Sequence, residues 1–193
     1  MLGFAEQLEA FSTFAEDAFS HEGGKTRIMQ VMLKAARATC DFYIENVPAD
    51  GVPYWDTGAP GLVHLGDYKS MPADPYNEWE PVDSSAAVVA AQGLLRLGNY
   101  LRLNGEGDEA NKYWQAGLTI MNTLLDYPYL NTDPDHQGLL LHSVYHHPNR
   151  WDFVPSGRKV PCGESSMWGD YHAREAALYL KRILSGNDYF TYY

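Results

Sequence analysis

Apolar residues recur at helical spacing in five stretches of the chain, and the intervals between them are rich in Gly, Pro and aromatics. The organising stretch is Glu80-Pro81-Val82-Asp83-Ser84-Ser85-Ala86-Ala87-Val88-Val89-Ala90-Ala91-Gln92-Gly93-Leu94-Leu95. Pro81 cannot lie inside a helix, so a helix begins after it, and Asp83 or Ser84 can place an oxygen on the free N–H groups of its first turn. The following residues are small and apolar on nearly every face, which predicts a helix over 84–103 that is buried all round. Such density of Ala and Gly also lets neighbouring helices approach closely.

Residues 2–19 repeat Leu2, Phe4, Ala5, Leu8, Phe11, Phe14, Ala15 and Ala18 near the 3.6 period. No cap or lead-in precedes them, as in a domain entered partway through. A second helix is predicted over 26–46, with Ile28, Val31, Met32, Ala35, Ala38, Thr39, Phe42 and Tyr43 inward, and Val47-Pro48 ends it. A fourth runs over 108–126, capped by Asp108 and stopped by Tyr127-Pro128; its inner face is Tyr113, Ala116, Gly117, Ile120, Met121 and Leu124. The fifth carries Trp168-Gly169-Asp170-Tyr171-His172 near its start and continues to about 184. The aromatic tail 188–193 is expected to pack on the body.

Two long loops, 49–82 and 129–164, separate these helices. They hold turn residues and aromatics instead of the charged runs of a linker, so the chain reads as one domain with functional loops. The two halves also repeat. An X-Pro step ends helix two and helix four, a polar–Gly–apolar turn follows (Asp50-Gly51-Val52, Gln137-Gly138-Leu139), and each loop closes on a Ser pair. The pairs Ser84-Ser85 and Ser165-Ser166 stand 81 positions apart. Repeats of paired helices bury a continuous core only by stacking on neighbours. An all-α toroid with inner and outer rings fits, and an open helical solenoid is the alternative; both place a cleft at the loop-rich end.

Composition removes several functions. A formal charge of −11 argues against a nucleic-acid surface. No apolar run approaches the roughly 18 residues that span a bilayer. The start, Met1-Leu2-Gly3-Phe4-Ala5-Glu6, has no basic leader region, so a cytoplasmic chain without membrane partners is expected. The two cysteines, Cys40 and Cys162, form neither a disulfide framework nor a metal spacing; Cys40 reads as a buried small hydrophobe.

Four motifs now stand in order: Asp50-Gly51-Val52-Pro53-Tyr54-Trp55-Asp56, Asp83-Ser84-Ser85-Ala86, Tyr145-His146 and Trp168-Gly169-Asp170-Tyr171. In this order and context they resemble the unsaturated glucuronyl hydrolases, glycoside hydrolase family eighty-eight, to which the unsaturated rhamnogalacturonyl hydrolases are related. The resemblance implies an (α/α)6 toroid, of which residues 1–193 would be a single partial domain, the C-terminal half. It implies a substrate whose non-reducing uronate carries a C4=C5 double bond left by a polysaccharide lyase. A carboxylic acid protonates the vinyl ether, water adds, and the hemiketal opens to release the sugar, with no metal or cofactor. The family's acidic pair and its Trp/Arg-rich segment have no matching position here, so no catalytic residue is assigned and the chain alone is expected to be inactive. An acidic oligosaccharide is the expected partner, together with self-association through the incomplete barrel edge.

Tyr145 resembles a family residue that touches the sugar. Trp168 and Trp55 can stack a sugar ring, each weighed against a core role. Ser84 stands at a helix N-terminus, where N–H groups suit a carboxylate or hydroxyl. Arg158, with Arg150 and Lys159, can meet the carboxylate or sulfate of an acidic sugar or remain a solvated loop charge. For Asp83 and Asp170 a structural role in the first helical turn is preferred over a catalytic one. His142, His146 and His147 invite a metal reading, but Pro148 and Gly138 argue against the helix that would align them, and no acidic or Cys ligand completes the set. A non-catalytic helical carbohydrate-binding or scaffolding module remains the competing function. A plain interaction repeat would have short loops.

Overall fold

In the computed structural model, which describes residues 1–189, five α-helices carry the fold: α1 (Leu2–Ser12), α2 (Lys25–Asn46), α3 (Ser84–Leu103), α4 (Gly107–Leu124) and α5 (Met167–Leu184). Helix α3 is the hub and packs against the other four. It starts as its sequence dictates: the Asp83 carboxylate accepts from the N–H groups of Ser85 (3.0 Å) and Ala86 (3.2 Å). Its burial extends to every face, taking in Ala87, Val88, Ala91, Leu94, Leu95 and Leu97. Gly98 lets α4 approach: a Cβ there would lie 2.8 Å from the backbone nitrogen of Trp114. Gly93 does the same for α1, 2.9 Å from the nitrogen of Leu2.

The other helices depart from their predicted forms. Helix α1 stops at Ser12, where Ser12 and Thr13 hydroxyls bond back to the carbonyls of Glu9 (2.6 Å) and Ala10 (2.7 Å) and compete with the helical ladder. A 3-10 segment, Glu16–Glu22, replaces its expected continuation. Helix α2 keeps part of the predicted face: Met32 and Tyr43 pack on the core and Cys40 is buried as expected. Ala36 and Cys40 are buried, with Met29, Leu33 and Ile44 packed beside them, while Val31 and Phe42 are exposed. Its polar side grips α4 through Arg37 with Glu106 and Glu109, and through Asp41 with Lys112 (2.7 Å) and the Tyr113 hydroxyl (2.8 Å). Helix α4 has the predicted inner face, but its N-cap is Glu106, and Asp108 lies inside the first turn. Of the tail, Tyr189 packs on Tyr179 at 4.8 Å between ring centroids; residues 190–193 lie outside the described residues.

Among the described residues there are only two isolated β-bridges, Tyr54 with Val82 and Leu130 with Leu140. The long loops therefore need other partners for their backbone N–H groups. Carboxylates supply them. Asp50 accepts from Val52 and Ala73, Glu80 from Gly61 and the Trp55 indole, and Asp170 from Leu139 and Leu140.

One ionic cluster is buried among the helices. Arg96 of α3 donates to Glu9 of α1 at 2.7 Å, with Glu6 at 3.6 Å and the Tyr179 ring of α5 at 5.0 Å. Tyr189 donates to Glu9 (3.1 Å) and accepts from Asn99 (2.7 Å). Burial pushes Glu9 up to about 7, against the opposing pull of Arg96. Folding therefore takes up a proton at this group. Its contribution is complete below the unfolded value of 4.5 and is lost as pH rises through about 7. Urea unfolding at pH 5, 6, 7 and 8 should show the parent losing stability relative to Glu9→Gln across this window, by on the order of 3 kcal/mol. A difference that does not change with pH would refute the assignment.

Candidate functional site

Both long loops return to one end of the molecule, at the N-termini of α3 and α5. The stitching is backbone and buried hydroxyl. Ser84 N–H donates to the His142 carbonyl (3.0 Å), Ser143 N–H to the Glu164 carbonyl (2.9 Å), and Ser84 and Ser143 share a hydroxyl contact at 3.1 Å. Helix α5 is capped by Ser166, whose Oγ accepts from Gly169 N–H at 3.1 Å. The structural counterpart of Ser166 is thus Asp83, and the two Ser pairs are not equivalent positions. Ser84 and Ser85 begin α3 inside its cap, while Ser165 turns aside to His136 Nε2 at 2.9 Å.

Above these helix ends lies a cleft of about 300 Å³ walled by Tyr145, Trp151, Phe153 and Trp168, with Ser165 and Asp152 at its margins. Tyr145 and Trp168 lie side by side, ring centroids 5.5 Å apart, and Trp151 stacks on Tyr145 at 5.8 Å. All three are accessible, Tyr145 at 59%, Trp151 at 61% and Trp168 at 37%. Their positions are fixed from behind. The Trp168 indole N–H donates to Ser85 Oγ (3.0 Å), and Ser85 Oγ donates to Asp83 (2.6 Å). Asp152 accepts from the N–H groups of Tyr145 and His146 and folds the Tyr145 turn. Burial raises the pKa of Asp83, while the donors around it pull the other way.

The remaining residues singled out in the sequence fall elsewhere. Ser84 is fully buried with its hydroxyl on Ser143, so it cannot meet a ligand as the sequence suggested. Trp55 is half-buried; Glu80 holds its indole at 2.6 Å and its ring edges onto His147 at 4.9 Å. Arg158 sits over the Tyr76 ring at 4.8 Å and donates to the Tyr76 carbonyl, outside the cleft wall. Arg150, Lys159 and Trp79 line a neighbouring cavity of about 450 Å³ that meets the first at Asp152. Lys159 is paired there with Glu78 at 2.7 Å. The three histidines diverge. His142 is buried and accepts from Gly163 N–H on Nδ1, and burial lowers its pKa to about 4. His146 caps the 3-10 turn His147–Asn149, and His147 faces Trp55. Among the described residues no cluster of His, Cys, Asp and Glu is arranged to hold a metal ion. Trp151 and Asp152 join the site from the structure alone, whereas Ser85 belongs to the Ser pair that the sequence placed at this end. The spacing of Asp152 seven positions after Tyr145 is a loop contact that no helical or strand period encodes.

No family model matches the chain. Curated relatives do. The unsaturated glucuronyl hydrolase of Bacillus sp. strain GL1 is 27% identical over 155 residues, 80% of this chain and 34% of that protein. The unsaturated glucuronyl hydrolase of Formosa agariphila is 31% identical over 147 residues, 75% of this chain and 29% of that protein. The crystal structure of the Bacillus sp. GL1 enzyme, described as responsible for the degradation of glycosaminoglycan, superimposes with a TM-score of 0.58 at 26% identity, over 83% of this chain and 36% of that one. A variant UGL in complex with dGlcA-Glc-Rha-Glc matches at the same TM-score, identity and coverage. The helical layers described above are accordingly part of the helical toroid of these enzymes. Among the described residues no helix is long and apolar enough to cross a membrane. By sequence and by fold together, the chain is homologous to the unsaturated glucuronyl hydrolases, over a segment spanning about a third of their length.

Proposed function

We propose that this chain forms the sugar-stacking wall of a glycoside hydrolase site for unsaturated uronyl oligosaccharides of the kind polysaccharide lyases leave behind. The observation that carries the reading is the accessible Tyr145–Trp151–Trp168 cluster at the N-terminus of α5, in a chain homologous to enzymes of that name. Aromatic faces stack on the apolar face of a sugar, and a helix N-terminus favours the uronate charge. The Tyr145 hydroxyl can meet a sugar hydroxyl, and Arg150 stands in the adjoining cavity for a more distant acidic group.

The nearby aspartates are engaged structurally. Asp83, Asp152 and Asp170 each accept two or more backbone N–H groups. None of these three presents a free carboxylic acid to the cleft, so none of them is assigned an acid/base role in the reaction. That same observation favours, as the second reading, a helical module that binds such sugars without turnover. One titration separates the possibilities. The purified chain should bind dGlcA-Glc-Rha-Glc, read by tryptophan fluorescence, and leave the absorbance of its conjugated double bond unchanged. Loss of that absorbance above a buffer control would make the chain a complete catalyst, and absence of binding would remove the sugar reading altogether.

A further inference from the structure

We propose that Asp83 and Ser85 are positioning residues that hold Tyr145 and Trp168 in register as one sugar-binding platform. The inference rests on the functional reading above and adds to it the groups that set the geometry. Tyr145 and Trp168 come from different elements, a loop and a helix, 23 positions apart in sequence. Rings on separate elements keep a fixed offset only if something joins their supports.

Asp83 is that junction. Its Oδ1 accepts from Ser85 Oγ at 2.6 Å and from Val144 N–H, next to Tyr145, at 3.3 Å. Ser85 Oγ in turn accepts the Trp168 indole N–H at 3.0 Å. The direction of this relay is forced. An indole N–H only donates and a carboxylate only accepts, so the hydroxyl between them must give its proton to Asp83 and take one from Trp168. A hydroxyl is the smallest group that can do both. Space is short as well: a Cβ on Gly169 would stand 3.1 Å from Ser85 Cβ, so α5 lies directly on this residue. Ser85 is 3% exposed, which keeps water from competing for either bond. The cap of α3 thus sets the tilt of an aromatic ring on α5 and the place of the loop that carries Tyr145. Neither bond is needed to start α3, because Ser85 and Ala86 N–H groups already reach the Asp83 carboxylate.

The test uses the whole 193-residue chain. Ser85→Ala removes the relay hydroxyl and keeps the cap; Asp83→Asn keeps a capping oxygen and removes the charge that orients the hydroxyl. Trp168→Phe keeps a ring and removes the indole N–H, and it assigns the Trp168 signal among the five tryptophan indoles in an ¹H–¹⁵N spectrum. In Ser85→Ala and Asp83→Asn the Trp168 indole resonance should move while those of Trp55, Trp79 and Trp114 stay. Affinity for dGlcA-Glc-Rha-Glc should fall roughly three- to tenfold in Ser85→Ala, the scale of one hydrogen bond, and Ser85→Ala should cost nothing further in a Trp168→Phe background. A Trp168 indole signal unmoved by Ser85→Ala overturns the relay. A parent that binds, with variants that bind equally well, overturns the positioning role alone. A parent that binds no saccharide overturns the functional reading and the role given to Asp83 and Ser85 with it.

Discussion

Arg96→Ala is expected to lower the unfolding free energy by about 3–5 kcal/mol at pH 8, among the largest effects of any single substitution in this chain. Arg96 is 3% exposed and its charge is answered by Glu9 at 2.7 Å, itself 4% exposed. Removing the guanidinium leaves an ionised carboxylate in the core, with the Tyr189 hydroxyl as the donor on its other oxygen. It also removes the guanidinium that lies over the Tyr179 ring, so a void adds to the electrostatic loss. The loss should shrink toward pH 5, where Glu9 is protonated in the parent already and needs no counter-charge. Replacing both partners separates charge from packing. The double variant Arg96→Met with Glu9→Leu should recover most of the loss, because a well-filled apolar pair avoids the desolvation that a buried ion pair carries. Urea denaturation of the three proteins at both pH values measures this directly. Equal losses for Arg96→Ala at pH 5 and pH 8 would show that packing, and not the Glu9 charge, sets the effect.

The periodicity of the chain makes α3 legible to the residue, because a helix buried all round leaves no doubt about its face and Pro81 and Asp83 mark its start. The same reasoning places only part of the inner face of α2: Met32, Tyr43 and Cys40 turn inward as read, whereas Val31 and Phe42 do not. That helix carries apolar residues on two sides, Ala36 and Cys40 inward and Val31 and Phe42 outward, and period alone cannot choose between them. The end of α1 escapes it for a local reason: Ser12 and Thr13 look neutral in a periodic count, yet their hydroxyls terminate the ladder. At the site, motifs single out Tyr145 and Trp168, and the structure brings them into one cleft. What holds them there is hidden from the sequence. Asp83 reads as a cap and is one, but its second task depends on contacts distant in sequence, 61 positions from Asp83 to Val144 and 83 from Ser85 to Trp168. Ser84 misleads because a helix N-terminus suggests a ligand, whereas here the adjacent loop covers it.

Leu95→Ala is expected to cost about 2–5 kcal/mol, with a partner substitution that tests the packing behind the number. Leu95 is fully buried on the face of α3 that meets α4. Opposite it stands Gly117, where an added Cβ would fall 2.7 Å from Leu95 Cγ and 3.2 Å from the Ala91 carbonyl oxygen. The two residues are thus complementary: one fills the space the other leaves empty. Leu95→Ala opens a cavity that close-packed helices relax into only partly. Gly117→Ala alone gains about 1 kcal/mol of helix propensity, but it drives a methyl group into Leu95 and should be destabilising on balance, by about 1–3 kcal/mol from overpacking. In the double variant the methyl group added by Gly117→Ala occupies part of the space vacated by the Leu95 side chain. The clash with the Leu95 side chain disappears while the 3.2 Å approach to the Ala91 carbonyl oxygen remains, so relief of the first should make the double variant more stable than the sum of the single effects by about 1–3 kcal/mol. The measurement is a double-mutant cycle by urea denaturation with the m-value unchanged across all four proteins. Strict additivity would mean that α3 and α4 shift apart to admit the methyl group, and that the spacing of the helical layers is not set by this pair.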